Sequence, residues 1–279
     1  MEHELKVGVF VVPDAEDTER TIEQVVAADG AGLDIVGIQD HPYQRRFFDT
    51  WTLLSYIAAR TEQISLVPDV ANLPLRHPAV LAKSAASLDL LSGGRLELGL
   101  GAGAFWDVIE AMGGPRRSPK ESVDALEEAI AVIRAMWSGE RGLRVDGQHY
   151  RLAGVHSGPR PAHEIGIWLG AAGPRMMRIT GRLADGWLPS MSWLDPAGIA
   201  ERHRVIDDAA RRAGRDPSEV RRIVNAGSAA SYDADGLVRL YAEYRFDTLL
   251  LSPDEDDPIA SIRRLGEDLA PSAREAVRR

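Results

Sequence analysis

The chain has 279 residues, 44% of them hydrophobic and 27% charged, enough apolar material for a sizeable folded core. Its 42 Asp+Glu outnumber 33 Lys+Arg for a net charge of −9, which argues against a general nucleic-acid surface and requires any anion site to be a local concentration of arginine. The absence of cysteine removes disulfides and thiolate chemistry, and the seven histidines show no HExxH or paired HxH spacing, so no metal site is expected.

The opening, MEHELKVGVFVVP, is too short and too charged for a signal peptide. No apolar run approaches the ~18 residues of a membrane span, which predicts a cytoplasmic protein with no membrane partner. Residues 6–12 form a first β-rich run, and Asp17-Thr18 caps a helix with Ile22, Val25 and Val26 on one face. A second run, 33–39, stops at Asp40-His41-Pro42, and a helix follows over about 50–59. The third run, 64–70, contains Pro68, which marks an edge, a bulge or a bend through Asp69, Val70, Ala71 and Asn72. A helix over 79–91 ends at Ser92-Gly93-Gly94, and the alternation of Leu96, Leu98 and Leu100 makes a fourth strand running into Gly101-Ala102-Gly103.

Ser118-Pro119-Lys120-Glu121 is a capping box with proline at the first helical position, opening a helix that carries Val123, Leu126, Ile130, Ile133 and Trp137. Residues 139–163 read as a crossing loop with a small hairpin at 143–152 around Asp146-Gly147. A fifth strand, 165–169, ends in Gly170-Ala171-Ala172-Gly173, and Pro174 then starts a helix. Strand, glycine turn and helix together leave free N–H groups at a helix N-terminus, a place suited to phosphate. Arg175 and Arg178 in its first turn suit a bound anion better than they suit the helix dipole. A tight turn with two solvated arginines is the plainer alternative. Trp187-Leu188 is the sixth strand; helices follow to about 212, over 235–244 and over 259–278, with strands at 220–225 and 248–251 between them.

Eight short strands, nearly all followed by helices, predict a single (β/α)8 barrel over 1–279 rather than a doubly wound sheet, whose phosphate glycines belong after the first strand. In such a barrel the active site gathers at the strand ends. His41 is the candidate proton-transfer residue, since imidazole titrates near neutrality and Asp40 could orient it or raise its basicity. Asp69 and Asn72 could contact a ligand or satisfy a turn. Phe105, Trp106 and Trp193 could wall an apolar substrate pocket, while Trp137 and Trp168 read as core.

The strings LPLRHPAVLAKSAASLDLLSGGRLELGLGAG and GAAGPRMMRITGRLADGW, with the Asp40-His41 pair, resemble the luciferase-like monooxygenase family, most closely its branch dependent on coenzyme F420. The resemblance runs over nearly the whole chain and implies the same barrel. It places Asp40 near the polar edge of a deazaflavin ring and His41 near the reacting carbon. It makes Asp69, Val70, Ala71 and Asn72 a third-strand bulge, often with a non-prolyl cis peptide, behind the ring. It assigns Gly101 and Gly103 to the cofactor site, and gives Gly170, Ala171, Ala172 and Gly173, with Arg175 and Met176, to the cofactor phosphate. Phe105, Trp106 and Trp193 would enclose a small-molecule substrate, and a homodimer is implied. Some deazaflavin dehydrogenases of the family carry a proton-donating glutamate just after the fourth-strand glycines. Here that position is Ala104. The expected activity is hydride transfer between F420 and a small organic substrate; the alternatives are an FMN-dependent monooxygenase and a non-catalytic cofactor-binding relative.

Overall fold

A computed structural model of the protein describes residues 3–279. The parallel sheet is built from β1 (Lys6–Val11), β2 (Ile35–Ile38), β3 (Ser65–Pro68), β4 (Ala71–Asn72) and β5 (Leu98–Gly101). After β6 (Leu143–Asp146) and β7 (Arg151–Val155), which form a separate antiparallel hairpin, come β8 (Ile167–Leu169), β9 (Gly186–Trp187), β10 (Arg221–Ser228) and β11 (Thr248–Ser252). Their order in space is β3-β2-β1-β11-β10-β9-β8-β5-β4. Because β3 and β4 are two halves of one strand, this is a ring of eight, closed where β4 pairs with β5 and Leu66 bridges to Leu96. The predicted barrel is the observed fold.

The strands are short and buried on both faces, as parallel strands between helices and a filled lumen must be. Phe10, Ile35, Val67, Val70, Trp168, Leu188, Ile223 and Leu250 make one apolar cluster, separate from the larger core that includes residues of the surrounding helices. Their positions on the strands place this cluster inside the barrel, which accounts for a Trp168 that is only 3% exposed.

The helices include α1 (Thr18–Gly30), α2 (Thr50–Ala58), α3 (Pro78–Ser92), α4 (Trp106–Ala111) and α5 (Pro119–Trp137). The C-terminal half adds α6 (Pro174–Leu183), α7 (Ile199–Arg212), α8 (Ala234–Ala242), α9 (Pro258–Arg263) and α10 (Ala270–Arg278). Asp17, Ser118 and Asp233 cap their helices through side chain to backbone bonds, and both halves of the Ser118–Glu121 capping box form. The hairpin is also present: Glu128 of α5 accepts the N–H groups of Gln148, His149 and Tyr150 at 3.0, 2.8 and 3.1 Å and pins its turn.

The third strand is interrupted by a cis peptide between Asp69 and Val70, within the bend expected through Asp69–Asn72. Two features depart from the sequence expectation. The short helix α4 occupies a stretch to which the sequence assigned no element and is entered through Phe105 at φ 57°. The closing helix is two α-helical pieces joined by a π-helical turn over Arg264–Leu269.

Candidate active site

At the end of β2 the side chain of Asp40 is 1% exposed and wholly occupied. Its Oδ2 accepts from the backbone N–H of Asn72 at 2.9 Å and from Arg76 Nε at 2.8 Å, while Oδ1 accepts from Arg76 Nη2 at 2.7 Å. The same Nη2 reaches Asp49 Oδ2, and Asp49 caps α2 by accepting from the Thr52 N–H. Burial opposes the Arg76 charge, yet Asp40 and then Asp49 raise its pKa. This clamp ties the end of β2 to β4 and to the start of α2.

The clamp corrects the expectation that Asp40 orients His41. The hydrogen-bond partner of His41 Nδ1 is Gln39 Nε2, at 3.1 Å. An amide nitrogen can only donate, so Nδ1 accepts and the neutral ring carries its proton on Nε2. Burial lowers the pKa of His41 and outweighs the upward pull of Asp40, so the ring is neutral at physiological pH. It stacks on Tyr43 with centroids 5.2 Å apart and meets Phe105 edge-on at 5.7 Å. Burial, aided by Asp40, pushes the Tyr43 hydroxyl up to about 12, so it remains a proton-bearing phenol. His41, Tyr43, Gln44, Phe105, Asp107 and Val108 line a cleft of about 450 Å³. A larger opening of about 710 Å³ lies between His77 and the hairpin tip and shares no lining residue with it. Of the strand-end candidates, His41 lines the smaller one.

The third-strand bulge lies against the next strands. Val70 is so placed that a Cβ on Gly101 or Gly170 would come within 2.8 and 3.0 Å of its methyl group. The bare backbone at those two glycines therefore accommodates Val70 rather than opening directly to a ligand. Ala71 is fully buried and pairs with Leu100, and Asn72 is 6% exposed with its Oδ1 buried and without a donor. Asp69 is also buried, and its Oδ2 has no hydrogen-bond partner.

After β8, Gly170 donates to Leu100 O at 3.2 Å and Ala171 O accepts from Trp187 Nε1 at 3.0 Å, which anchors the start of the loop. Ala172 and Gly173 are exposed, and a Cβ on Gly173 would meet nothing within 4 Å. Among the described residues, the N–H groups of Ala171, Ala172 and Gly173 have no acceptor. The two side chains assigned to this loop turn elsewhere. Arg175 bonds to Asp124 and to Lys120 O on α5, and Met176 is buried in the core at 8% exposure. What the loop presents to solvent is backbone.

Of the aromatic wall, Phe105 joins the His41 cleft at 55% exposure. Trp106, half-buried, sits against Gly103, whose φ of 104° turns the chain into α4. Trp193 is 66% exposed and makes no ring contact among the described residues, so the structure does not join it to the other two. Sequence reasoning missed Gln39, Tyr43 and Arg76 as members of this site. Arg76 carried a signal in the Arg-His-Pro of the β4–α3 connection, but a guanidinium's partner is a tertiary fact.

The family model for luciferase-like monooxygenases matches residues 5–275. The chain belongs to that family. Among curated luciferase-like relatives, the F420-dependent glucose-6-phosphate dehydrogenase of Gordonia bronchialis is 28% identical over 96% of this chain and 82% of its own. The 5,10-methylenetetrahydromethanopterin reductase of Methanolobus tindarius is 35% identical over 76% of this chain and 62% of its own. A solved F420-dependent secondary alcohol dehydrogenase, in complex with an F420–acetone adduct, superposes with a TM-score of 0.84 over 97% of this chain and 99% of its own. At 17% identity that last likeness shows the fold. The protein is thus an oxidoreductase of the luciferase-like family, and no helix among the described residues is long and apolar enough to cross a membrane.

Proposed function

We propose that this enzyme binds coenzyme F420 across the C-terminal mouth of the barrel and transfers a hydride between it and a small organic substrate held in the His41–Phe105 cleft. The observation that carries this reading is the loop at the start of α6, where among the described residues the N–H groups of Ala171, Ala172 and Gly173 meet no acceptor and the space beyond Gly173 is open. Such an arrangement suits a phosphate, the anionic group that F420 and FMN share. The buried, donor-less Oδ1 of Asn72 also fits, because it can accept from a ring N–H at the other end of the same cofactor. The choice of F420 over FMN is supported by the F420-dependent relative that aligns over nearly the whole chain.

The residues present therefore suit such a group. When bound, the deazaflavin supplies the carbon that gives or takes the hydride. Val70 backs the site from the barrel side, and the Asp40–Arg76 clamp holds the backbone of Asn72 in place. His41, neutral and with its proton on Nε2, donates toward an electron-rich atom of the substrate, and Gln39 keeps the ring in that tautomer. Alanine at position 104 leaves no carboxyl just after the fourth-strand glycines, and Asp107 at the cleft is paired with Arg116, so His41 is left to polarise the substrate through its Nε2–H hydrogen bond. This argues for a substrate other than the glucose 6-phosphate of the similar dehydrogenases. A parallel titration with F420 and FMN, read by tryptophan quenching, tests the reading. Tight binding of F420 alone supports it; tight binding of FMN alone replaces it with an oxygen-using monooxygenase.

A further inference from the structure

Inside the barrel mouth, immediately before Val70, the apolar lumen contains a polar pair. Asp69, 8% exposed, projects over Gly37 of β2, where a Cβ would come within 3.0 Å of its Oδ2 and 3.1 Å of Leu250 on β11. Asn225 of β10 stands beside that same Leu250 in the β10–β11 register, and its side chain is the polar group that acts on the Asp69 carboxyl. Two atoms of this pair are buried with no partner among the described residues: Oδ2 of Asp69 and Oδ1 of Asn225. Both are acceptors if the carboxyl is ionised, and a buried acceptor left unpaired costs about 1–3 kcal/mol. One proton on the carboxyl converts one of the two into a donor for the other. An acid and a primary amide then close a ring of two hydrogen bonds, as the donor and acceptor inventory of each group allows.

We propose that Asp69 is a neutral carboxylic acid whose proton is shared with Asn225, and that this pair is a positioning device which fixes the third-strand bulge across the barrel. The role of the bulge rests on the cofactor reading above; the protonation state does not. The pair links the Asp69–Val70 step to β10 at the residue where the β10–β11 register shifts, and Asn225 also donates its N–H to Pro189 O at the end of β9. The Asp69–Val70 step, β10 and the chain after β9 thus meet at Asn225. Burial raises the Asp69 pKa to about 7, with Asn225 pulling the other way, and no charged group contributes. Of the groups facing it, Gly37 and Leu250 do not titrate, and Asp40, farther along the β2 end, is engaged by Arg76.

Asp69→Asn tests this, because an amide reproduces the donor and acceptor of the neutral acid and cannot ionise. Infrared spectra of the apoprotein on the acid side of neutrality should contain a deuterium-sensitive protonated-carboxyl band that is missing from Asp69→Asn and disappears from the wild type at alkaline pH. Asn225→Leu should move that band to the position of an unbonded acid. F420 affinity of the wild type should fall by about tenfold per pH unit above the midpoint, the limiting slope for one linked proton, while Asp69→Asn binds as the acidic wild type does at every pH. Absence of the band, or a band unmoved in Asn225→Leu, overturns the pair. A band as described with affinity equally pH-dependent in Asp69→Asn overturns the positioning role. If F420 fails to bind at all, the infrared result still decides the pair, and only the cofactor reading falls.

Discussion

Arg76 grips both carboxylate oxygens of Asp40, at 2.8 and 2.7 Å, across the 35 residues that lie between the two in the chain. Asp40 has no solvent to fall back on. Arg76→Ala should therefore destabilise the protein by about 3–5 kcal/mol, the cost of stranding a buried charge, and urea unfolding should register it. Arg76→Lys should recover only part of the loss, since an ammonium cannot reproduce two parallel bonds. Full stability in Arg76→Lys would show that charge alone matters here.

The neutral state of His41 makes a prediction about pH. Its pKa lies below the ordinary 6.5, so the active, uncharged ring persists at neutral pH and is lost only on acidification past that value. The kcat profile should have an acid limb below 6.5 that vanishes in His41→Gln. His41→Ala should still bind cofactor and should lose turnover by about 10²-fold or more. Unchanged turnover in that variant would remove His41 from the chemistry.

The glycine loop and its neighbouring arginine should respond in opposite ways. Gly173 has an ordinary φ of −86° and open space around it, so Gly173→Ala should leave the melting temperature unaltered. A methyl group there nevertheless stands where the proposed phosphate approaches, and F420 affinity should fall by about tenfold, equivalent to ~1.4 kcal/mol. Arg175→Ala breaks a partly exposed ion pair with Asp124, worth about 0–1 kcal/mol, and should change cofactor affinity little. A large affinity loss in Arg175→Ala alone would return the phosphate to that side chain.

At the opposite end of the barrel, His203 is 1% exposed and lies between Arg222, whose Nε donates to its Nδ1 at 3.0 Å, and Tyr244 O, which accepts from Nε2 at 2.8 Å. Burial, then the Arg222 charge, push its pKa down to about 3. Between that value and 6.5 the unfolded chain binds a proton that the folded chain refuses. Its contribution is therefore complete above 6.5 and is lost as pH falls toward 3, at up to about 1.4 kcal/mol per pH unit. Urea unfolding of His203→Gln across that range should show a shallower pH dependence than the wild type. Equal slopes would mean that the acid sensitivity arises elsewhere.

Much of the fold was legible because its signals are local. The eight β-rich runs, the Ser118–Glu121 capping box and the Asp146-Gly147 hairpin are set by side-chain periodicity and turn chemistry within a few residues. The strand ends Asp40-His41, Asp69–Asn72 and Gly170–Gly173 could be nominated from the same alternation, because a (β/α)8 barrel gathers them at one face whatever their separation in sequence. Pairing could not be nominated in that way. That Asp40 belongs to Arg76 and His41 to Gln39, that Val70 meets the bare glycines at 101 and 170, and that Arg175 faces Asp124 are matters of distance between strands and helices. Local sequence encodes which groups are available; only the closed barrel, by excluding water from some of them, decided which must satisfy one another and which were left free for a ligand.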